Sequence, residues 1–317
     1  MLAAIHDTKL VWMFSGVLGL LMVLTLIGQF PESRQRGNSS RPVRDDLDVS
    51  VRAWWKMITV FVLTIILGPH GSLVLFAILS FMAMREYMTL VPTRRGDHLT
   101  LFWSFFVIMP LQYLFIGLEW YGIFGILIPV LAFIFVPSSI AIEGDTAQFL
   151  ERSSKIQFGL MVCVYCLSHA PALLLLKIPG FEGHGLRLLL YLGIVDQIND
   201  VLQYVVGRLI GKHKIAWRVS PSLTWEGLAG GVIGATALGT LLWWATPFTP
   251  WQSAFLAFAI CILGSAGGLV MSAIKRDIGI KDFGVVIEGH GGILDRIDSL
   301  CFAAPIFFHL VRYYFIP

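Results

Sequence analysis

Ten stretches of the chain are apolar over about the length that a bilayer core requires: 10–30, 54–69, 71–92, 100–118, 120–140, 156–177, 186–207, 227–246, 252–274 and 299–316. A helix needs about 20 mainly apolar residues to cross the hydrocarbon, and only a helix or a closed barrel satisfies its own backbone there. The pattern therefore predicts an all-α, polytopic transmembrane bundle of about ten spans. The first stretch is longer than a signal-peptide core and no small-residue cleavage site follows it, so it is expected to stay as an anchor. The polar, mixed-charge segment 31–53 is expected to be a flexible linker near anionic lipid heads, or a solvated loop without a role. No repeat of 20–50 residues is evident. The chain divides into N-terminal transmembrane helices, 1–185, and a C-terminal region, 186–317, with two motif-bearing polar loops.

Composition agrees with the pattern. Of the 317 residues, 56% are hydrophobic and 14% charged, against about 25% charged in a soluble domain. That deficit excludes a disordered chain and argues against a water-soluble enzyme. The net charge of +3 says little until it is placed. Arg34, Arg36, Arg41, Arg44, Arg52, Arg94, Arg95, Arg152, Lys155, Arg208, Lys212, Lys214, Arg218, Lys275, Arg276, Lys281 and Arg296 all fall in loops of one parity, 17 of the 23 basic residues. The opposite loops, near 70, 119, 178–185 and 247–251, hold none. The positive-inside rule makes the basic side cytoplasmic and puts both termini outside.

Two local patterns carry less than they suggest. Cys163 and Cys166 form a C-x-x-C pair inside an apolar stretch with no second pair nearby, which reads as packing rather than redox or zinc chemistry. Gly207-Arg-Leu-Ile-Gly211-Lys212 has three residues between its glycines and is followed by His213. A Walker A loop needs four, then Ser or Thr after the Lys. Glycine beside basic residues still suits phosphate.

Acids within apolar spans are costly and often functional. Asp196, Asn199 and Asp200 lie at i, i+3 and i+4 and so share one helical face. Asp200 leads into the basic loop of Arg208, Lys212 and Lys214, which favours function. Arg85 and Glu86 are expected to be a charge pair. The densest chemistry lies between the ninth and tenth stretches. Lys275, Arg276, Lys281 and Arg296 can neutralise a polyphosphate, the arginines bidentately. Gly289, Gly291 and Gly292 let backbone amides approach an anion. Asp295 and Asp298, three apart at a helix start, can face one Mg²⁺. Acids and bases mixed around glycines suggest a metal–nucleotide site.

This run resembles the signature of the phosphatidate cytidylyltransferase (CDP-diacylglycerol synthase) family, matched at Ser272, Lys275, Arg276, Lys281, Asp282, Gly284, Ile287, His290, Gly291, Gly292, Asp295, Arg296 and Asp298. A second block, from Gly207-Arg208 through Gly211-Lys212-His213-Lys214 to Ser220-Pro-Ser-Leu-Thr224-Trp-Glu226-Gly227, is similar to the family's other cytoplasmic segment, and Asp200 matches the acid before it. The resemblance is strong over about 190–310 and general before that. It implies transfer of CMP from CTP to phosphatidic acid, giving CDP-diacylglycerol and pyrophosphate, at the cytoplasmic face of a bacterial inner membrane. Metal is expected at Asp295 with Asp298 or Asp282, as Mg²⁺, with a second cation left open. Lys275, Arg276, Lys281 and Arg296 are expected to hold phosphates, while His290, Gly291 and Gly292 shape the nucleotide pocket. Asp200, Arg208, Lys212, Ser220, Thr224 and Glu226 are expected to bind or orient substrate. The partners implied are CTP, phosphatidic acid and membrane lipids, with no nucleic acid; a homodimer is compatible with them.

Three positions depart from the family pattern. Gly268 stands where an acid, understood to bind metal in the family, usually precedes the signature serine by four. Leu223 stands where Lys is common, and Glu288 where a small residue is usual. The missing carboxylate is then expected from Glu288 or Asp277. These departures keep a noncatalytic or altered-specificity lipid-phosphate binder as the alternative. A transporter, which also buries acids at membrane depth, is disfavoured by the clustering of acids at one face.

Overall fold

The computed structural model describes residues 7–29, 41–284 and 291–316. Nine helical segments are present among them: α1 (Thr8–Gln29), α2 (Arg41–Leu90), α3 (Arg95–Gly117), α4 (Tyr121–Ile142), α5 (Phe149–Leu175), α6 (Gly185–Ile210), α7 (Trp225–Ala245), α8 (Pro250–Ile278) and α9 (Leu294–Phe315). Six segments are long and apolar enough to cross a membrane: Ile58–Leu90, α3, α4, α5, α7 and α8. All ten apolar stretches of the sequence are helical.

The stretches 54–69 and 71–92 are two helices, as the pattern predicts, joined at a sharp break with no longer loop between them. The break is one residue, Gly68, at φ 70° and ψ −177°. Pro69 follows, and with no N–H to give and a ring that crowds the preceding turn it cannot continue a straight helix. Glycine tolerates the left-handed φ that results. Ser72 Oγ lies 2.6 Å from Gly68 O and 3.3 Å from Thr64 O, serving carbonyls that the kink frees. One expectation needs correction: 41–53, expected as flexible linker, is helical and extends α2 by more than three turns. Pro42, in the first turn, is pre-set for a helix start.

The all-α expectation holds apart from one small hairpin. β1 (Lys214–Ala216) and β2 (Ser220–Thr224) pair antiparallel, with Lys214 opposite Thr224 and Ala216 opposite Ser220. Thr224 then caps α7, its Oγ1 accepting from Gly227 N at 3.1 Å. Close approach of α6 and α7 depends on glycine here: a Cβ on Gly227 would lie 2.6 Å from Gln203 O. Small residues at helix crossings let apolar helices pack without a hydrophobic driving force. α8 starts on a capping box, Thr249 with Gln252, and ends at Gly279 in the left-handed region.

Polar side chains gather at the two ends of the bundle. At one end Asp7 meets Arg187, with Nε 2.6 Å from Oδ2, and His184 at 3.0 Å, while Lys177 pairs with Glu119 at 2.6 Å. At the other, buried Arg152 holds Asp97 at 2.5 Å and Asp145 at 2.9 Å. The signature loop lies at this second end, beyond α8.

Candidate active site

The helical spacing of α6 brings Asp196, Asn199 and Asp200 to one face, as the sequence predicts, and the fold sets that face against α8 and α9. Asp196 and Asn199 are fully buried. Ser299, on α9, is the hub: its Oγ lies 2.9 Å from Asp196 Oδ2 and 3.0 Å from Asp200 Oδ2. Asn199 Nδ2 donates to Ser265 Oγ on α8 at 3.0 Å, and Ser265 Oγ donates to Gln203 Oε1 at 3.1 Å. Asp196 Oδ1 and Asn199 Oδ1 are buried without a hydrogen-bond partner. An unpaired buried carboxylate oxygen is expensive, so its presence asks for an explanation.

The signature loop is built around Asp295. Its Oδ2 accepts from Phe283 N at 2.8 Å and from Gly292 N at 2.9 Å, and its Oδ1 accepts from Lys275 Nζ at 2.9 Å. One carboxylate thereby joins the end of α8, the loop and the start of α9. Gly291 has φ 79°, and a Cβ there would lie 2.7 Å from Asp295 Oδ2, so glycine is required on both counts. Asp295 and Asp298 share the first turns of α9, yet Asp295 is turned to the loop and Lys275.

Glu86 corrects a further expectation. It does not pair with Arg85, since successive helical residues point about 100° apart; Arg85 faces outward and Glu86 is buried. Glu86 Oε1 accepts from Ile293 N and Oε2 from Leu294 N, both at 3.0 Å. These are the orphan amides of the α9 N-terminus, where a carboxylate is favoured. Gly292 must be small here, because a Cβ would lie 2.4 Å from Glu86 Oε2. Sequence reasoning had one usable signal: a lone acid at the polar end of an apolar helix, with its neighbour unable to face it.

The remaining candidates surround this core. Arg276, at the exposed end of α8, donates Nε to Val219 O at 3.2 Å and so ties the hairpin to the loop. Lys212, Lys214, Arg218, Arg276 and Lys281 are exposed at this end and form its basic surface. Arg208 lies against the Tyr204 ring, 5.9 Å from its centroid. Thr224 and Glu226 act on the fold itself: Thr224 caps α7, and Glu226 accepts from the Lys212 and His213 amides at 3.1 and 3.2 Å and from His213 Nδ1 at 2.6 Å. Ser220 sits in the hairpin register. Asp282 and Asp277 are exposed. Ile287, Glu288, Gly289 and His290 lie outside the described residues, and Arg296 begins the first turn of α9 beside the loop.

The donors fit a hard divalent cation. They are oxygens only, two carboxylates converge on Ser299, and one carboxylate oxygen has no partner. Among the described residues no three of His, Cys, Asp and Glu close around one point. Mg²⁺ does not need that, since it is held by one or two carboxylates, waters and substrate phosphates.

Residues 49–314 match the model of the cytidylyltransferase family. The chain is 39% identical over 304 residues to the uncharacterized protein YnbB of Escherichia coli, covering 93% of this chain and 95% of that protein. It is 30% identical over 253 residues to the phosphatidate cytidylyltransferase of Bacillus subtilis, covering 78% and 88%. With that of Mycobacterium leprae it shares 40% identity over 126 residues, 39% of this chain and 40% of the relative. With six apolar helices beside these relatives, the chain is a multi-pass membrane protein.

Proposed function

The chain belongs to the cytidylyltransferase family, and from that premise we propose that it transfers CMP from CTP to phosphatidic acid. A phosphate oxygen of the lipid attacks the α-phosphorus of CTP, the bond from that phosphorus to the bridging oxygen breaks, and pyrophosphate leaves with its electrons. The attacking oxygen is already anionic, so no strong general base is required, and His290 need not be one. Positioning and stabilisation of charge on the leaving group then carry the catalysis. The observation that supports this best is the Asp295 junction, which fixes Lys275 and the Gly291–Gly292 turn at the same end of the bundle as the acids of α6.

Lys275, Arg276, Lys281 and Arg296 would bind phosphates, Arg208 and Lys212 would extend that basic surface, and the Gly292 region would admit the nucleotide. Asp295 with Asp298 or Asp282 would hold Mg²⁺, which when bound neutralises reacting phosphates. Asp295 also orients the loop. Ten spans with both termini outside would place the site at the cytoplasmic face of an inner membrane, where CTP is available. The anionic lipid would enter sideways from the bilayer.

Purified protein in detergent with phosphatidate, CTP and Mg²⁺ should release pyrophosphate and form CDP-diacylglycerol in equal amounts. Lipid binding by folded protein without pyrophosphate release would favour a noncatalytic relative instead, a reading that rests on Gly268 and Leu223. Release with a different lipid phosphate would move the proposal to another substrate of the same class.

A further inference from the structure

Gly264, Gly268, Ser272 and Lys275 run along one stripe of α8, at spacings of four, four and three. The stripe has a gap. A Cβ on Gly268 would meet nothing within 4 Å, whereas a Cβ on Gly264 would lie 2.5 Å from Asp196 Oδ1. The Asp196 carboxylate therefore presses on the α8 backbone one turn, about 5.4 Å, from open space.

Charge counting at Ser299 adds an independent constraint. Its hydroxyl carries one proton, yet it is within hydrogen-bond distance of carboxylates from both Asp196 and Asp200. One of those contacts has no proton from serine. Among the described residues no lysine or arginine pairs with either acid, and Lys275 is committed to Asp295. Asp196 Oδ1 and Asn199 Oδ1 are both buried acceptors without a donor. Asp196 is fully buried and Asp200 half-buried, so two acids around one hydroxyl need either a second proton or a cation, and an orphan carboxylate oxygen favours the cation.

The geometry points to Asp196 as a ligand of the divalent cation, supplying from α6 a carboxylate that α8 has room for at Gly268 but lacks. This rests on the cytidylyltransferase reading for the identity of the cation and for the acid usual at position 268. Asp196, Asp200 and Ser299 then face the cation from α6 and α9, and substrate phosphates and water complete the shell. An exchange follows: a carboxylate placed at 268 enters the same space from the neighbouring helix.

Binding of Mn²⁺ alone to the purified full chain, followed by loss of the free-ion paramagnetic resonance signal, tests this without turnover. Asp196→Asn, close in shape, should weaken Mn²⁺ at least about tenfold, the scale of losing one member of a metal's ligand network. Gly268→Asp added to Asp196→Asn should restore most of that loss. Asp196→Asn protein that is folded and binds Mn²⁺ like the wild type overturns the assignment, and a double variant that stays weak overturns the exchange. If Asp196→Asn does not fold, Gly268→Asp alone should tighten Mn²⁺ by about tenfold; unchanged affinity then overturns the proposal. Wild-type protein that binds no Mn²⁺ overturns both this assignment and the divalent-metal part of the proposed function. Wild-type binding that depends on Asp196, with no CMP transfer to any lipid phosphate, upholds the cation site and overturns the catalytic reading.

Discussion

The first five helices and the last four treat charge in opposite ways. Between α3, α4 and α5 every buried charge is closed off: Arg152 takes Asp97 and Asp145 together, and Arg94, 3.7 Å from Asp145, supplies the second positive charge. The buried acceptors left without a donor in that half, Gln112 Oε1 and His169 Nε2, are on uncharged groups or groups that can stay neutral. Between α6, α8 and α9 Asp295 has Lys275, but Asp196 and Asp200 converge on Ser299 without a basic partner among the described residues, and one carboxylate oxygen is left over. A scaffold needs its charges paired because breaking a buried pair is severe. A site that takes a charged ligand must instead keep some of its own charge uncompensated. Glu86 joins the two regions, since it rises from α2 in the scaffold and holds the first amides of α9 in the site.

The comparison breaks most visibly at Arg152. Arg152→Ala leaves Asp97 buried without its partner, and should lower stability by about 3 kcal/mol or more. Thermal unfolding in detergent would register this while CMP transfer per folded molecule stays near wild type. A variant that loses activity but not stability would show that this half is more than scaffold. Asp295→Ala is the converse case. It releases Lys275 and two loop amides, and CMP transfer should fall about a hundredfold or more, equivalent to about 2.7 kcal/mol of barrier. Full activity in that variant would remove Asp295 from the site.

Glu86→Gln tests the joint. An amide has one acceptor oxygen where the carboxylate has two, so one of the Ile293 and Leu294 amides loses its partner. The cost of an unpaired buried donor, about 1–3 kcal/mol, should appear as a roughly tenfold loss in kcat/KM for CTP with helix content unchanged. Equal kinetics would mean that the α9 N-terminus needs no carboxylate. The smallest effect concerns the opposite end. Burial works to raise the Asp7 carboxyl, but the hydrogen bond from Arg187, the Leu10 amide and the charges of Arg187 and His184 outweigh it and hold it below the usual aspartate range. A depressed folded-state pKa adds stability that is present above the unfolded value, near 3.9, and is lost as pH falls through the folded one. Melting curves of the wild type should therefore fall between about pH 5 and pH 3 more steeply than those of Asp7→Asn. Parallel curves would show that α1 does not depend on this contact.

Much of this was legible before any coordinates. The apolar stretches are all helices, because the bilayer leaves a spanning backbone no other partner. Gly291, Gly292 and Asp295 do come together, because their spacing is short enough for one loop and one helical turn to enforce it. The α6 face of Asp196, Asn199 and Asp200 followed from helical period alone. The failures are as informative. Helix over 41–53 is not legible, since a polar, mixed-charge segment carries no apolar periodicity. Thr224 and Glu226, expected to meet substrate, also serve the fold as cap and loop brace, a task that no spacing shows.

By itself the sequence determined which segments are helical and apolar, on which loops the basic residues fall, and that residues 272–298 carry phosphate-suited chemistry. Each of those depends on local spacing and composition. Only the tertiary structure decided that Glu86 serves residues 207 and 208 positions away, and that Asp196 lies against Gly264 of another helix. No helical period encodes such contacts. They arise when helices pack in three dimensions and a buried carboxylate takes whichever unpaired donor, or open space, the neighbouring helix presents.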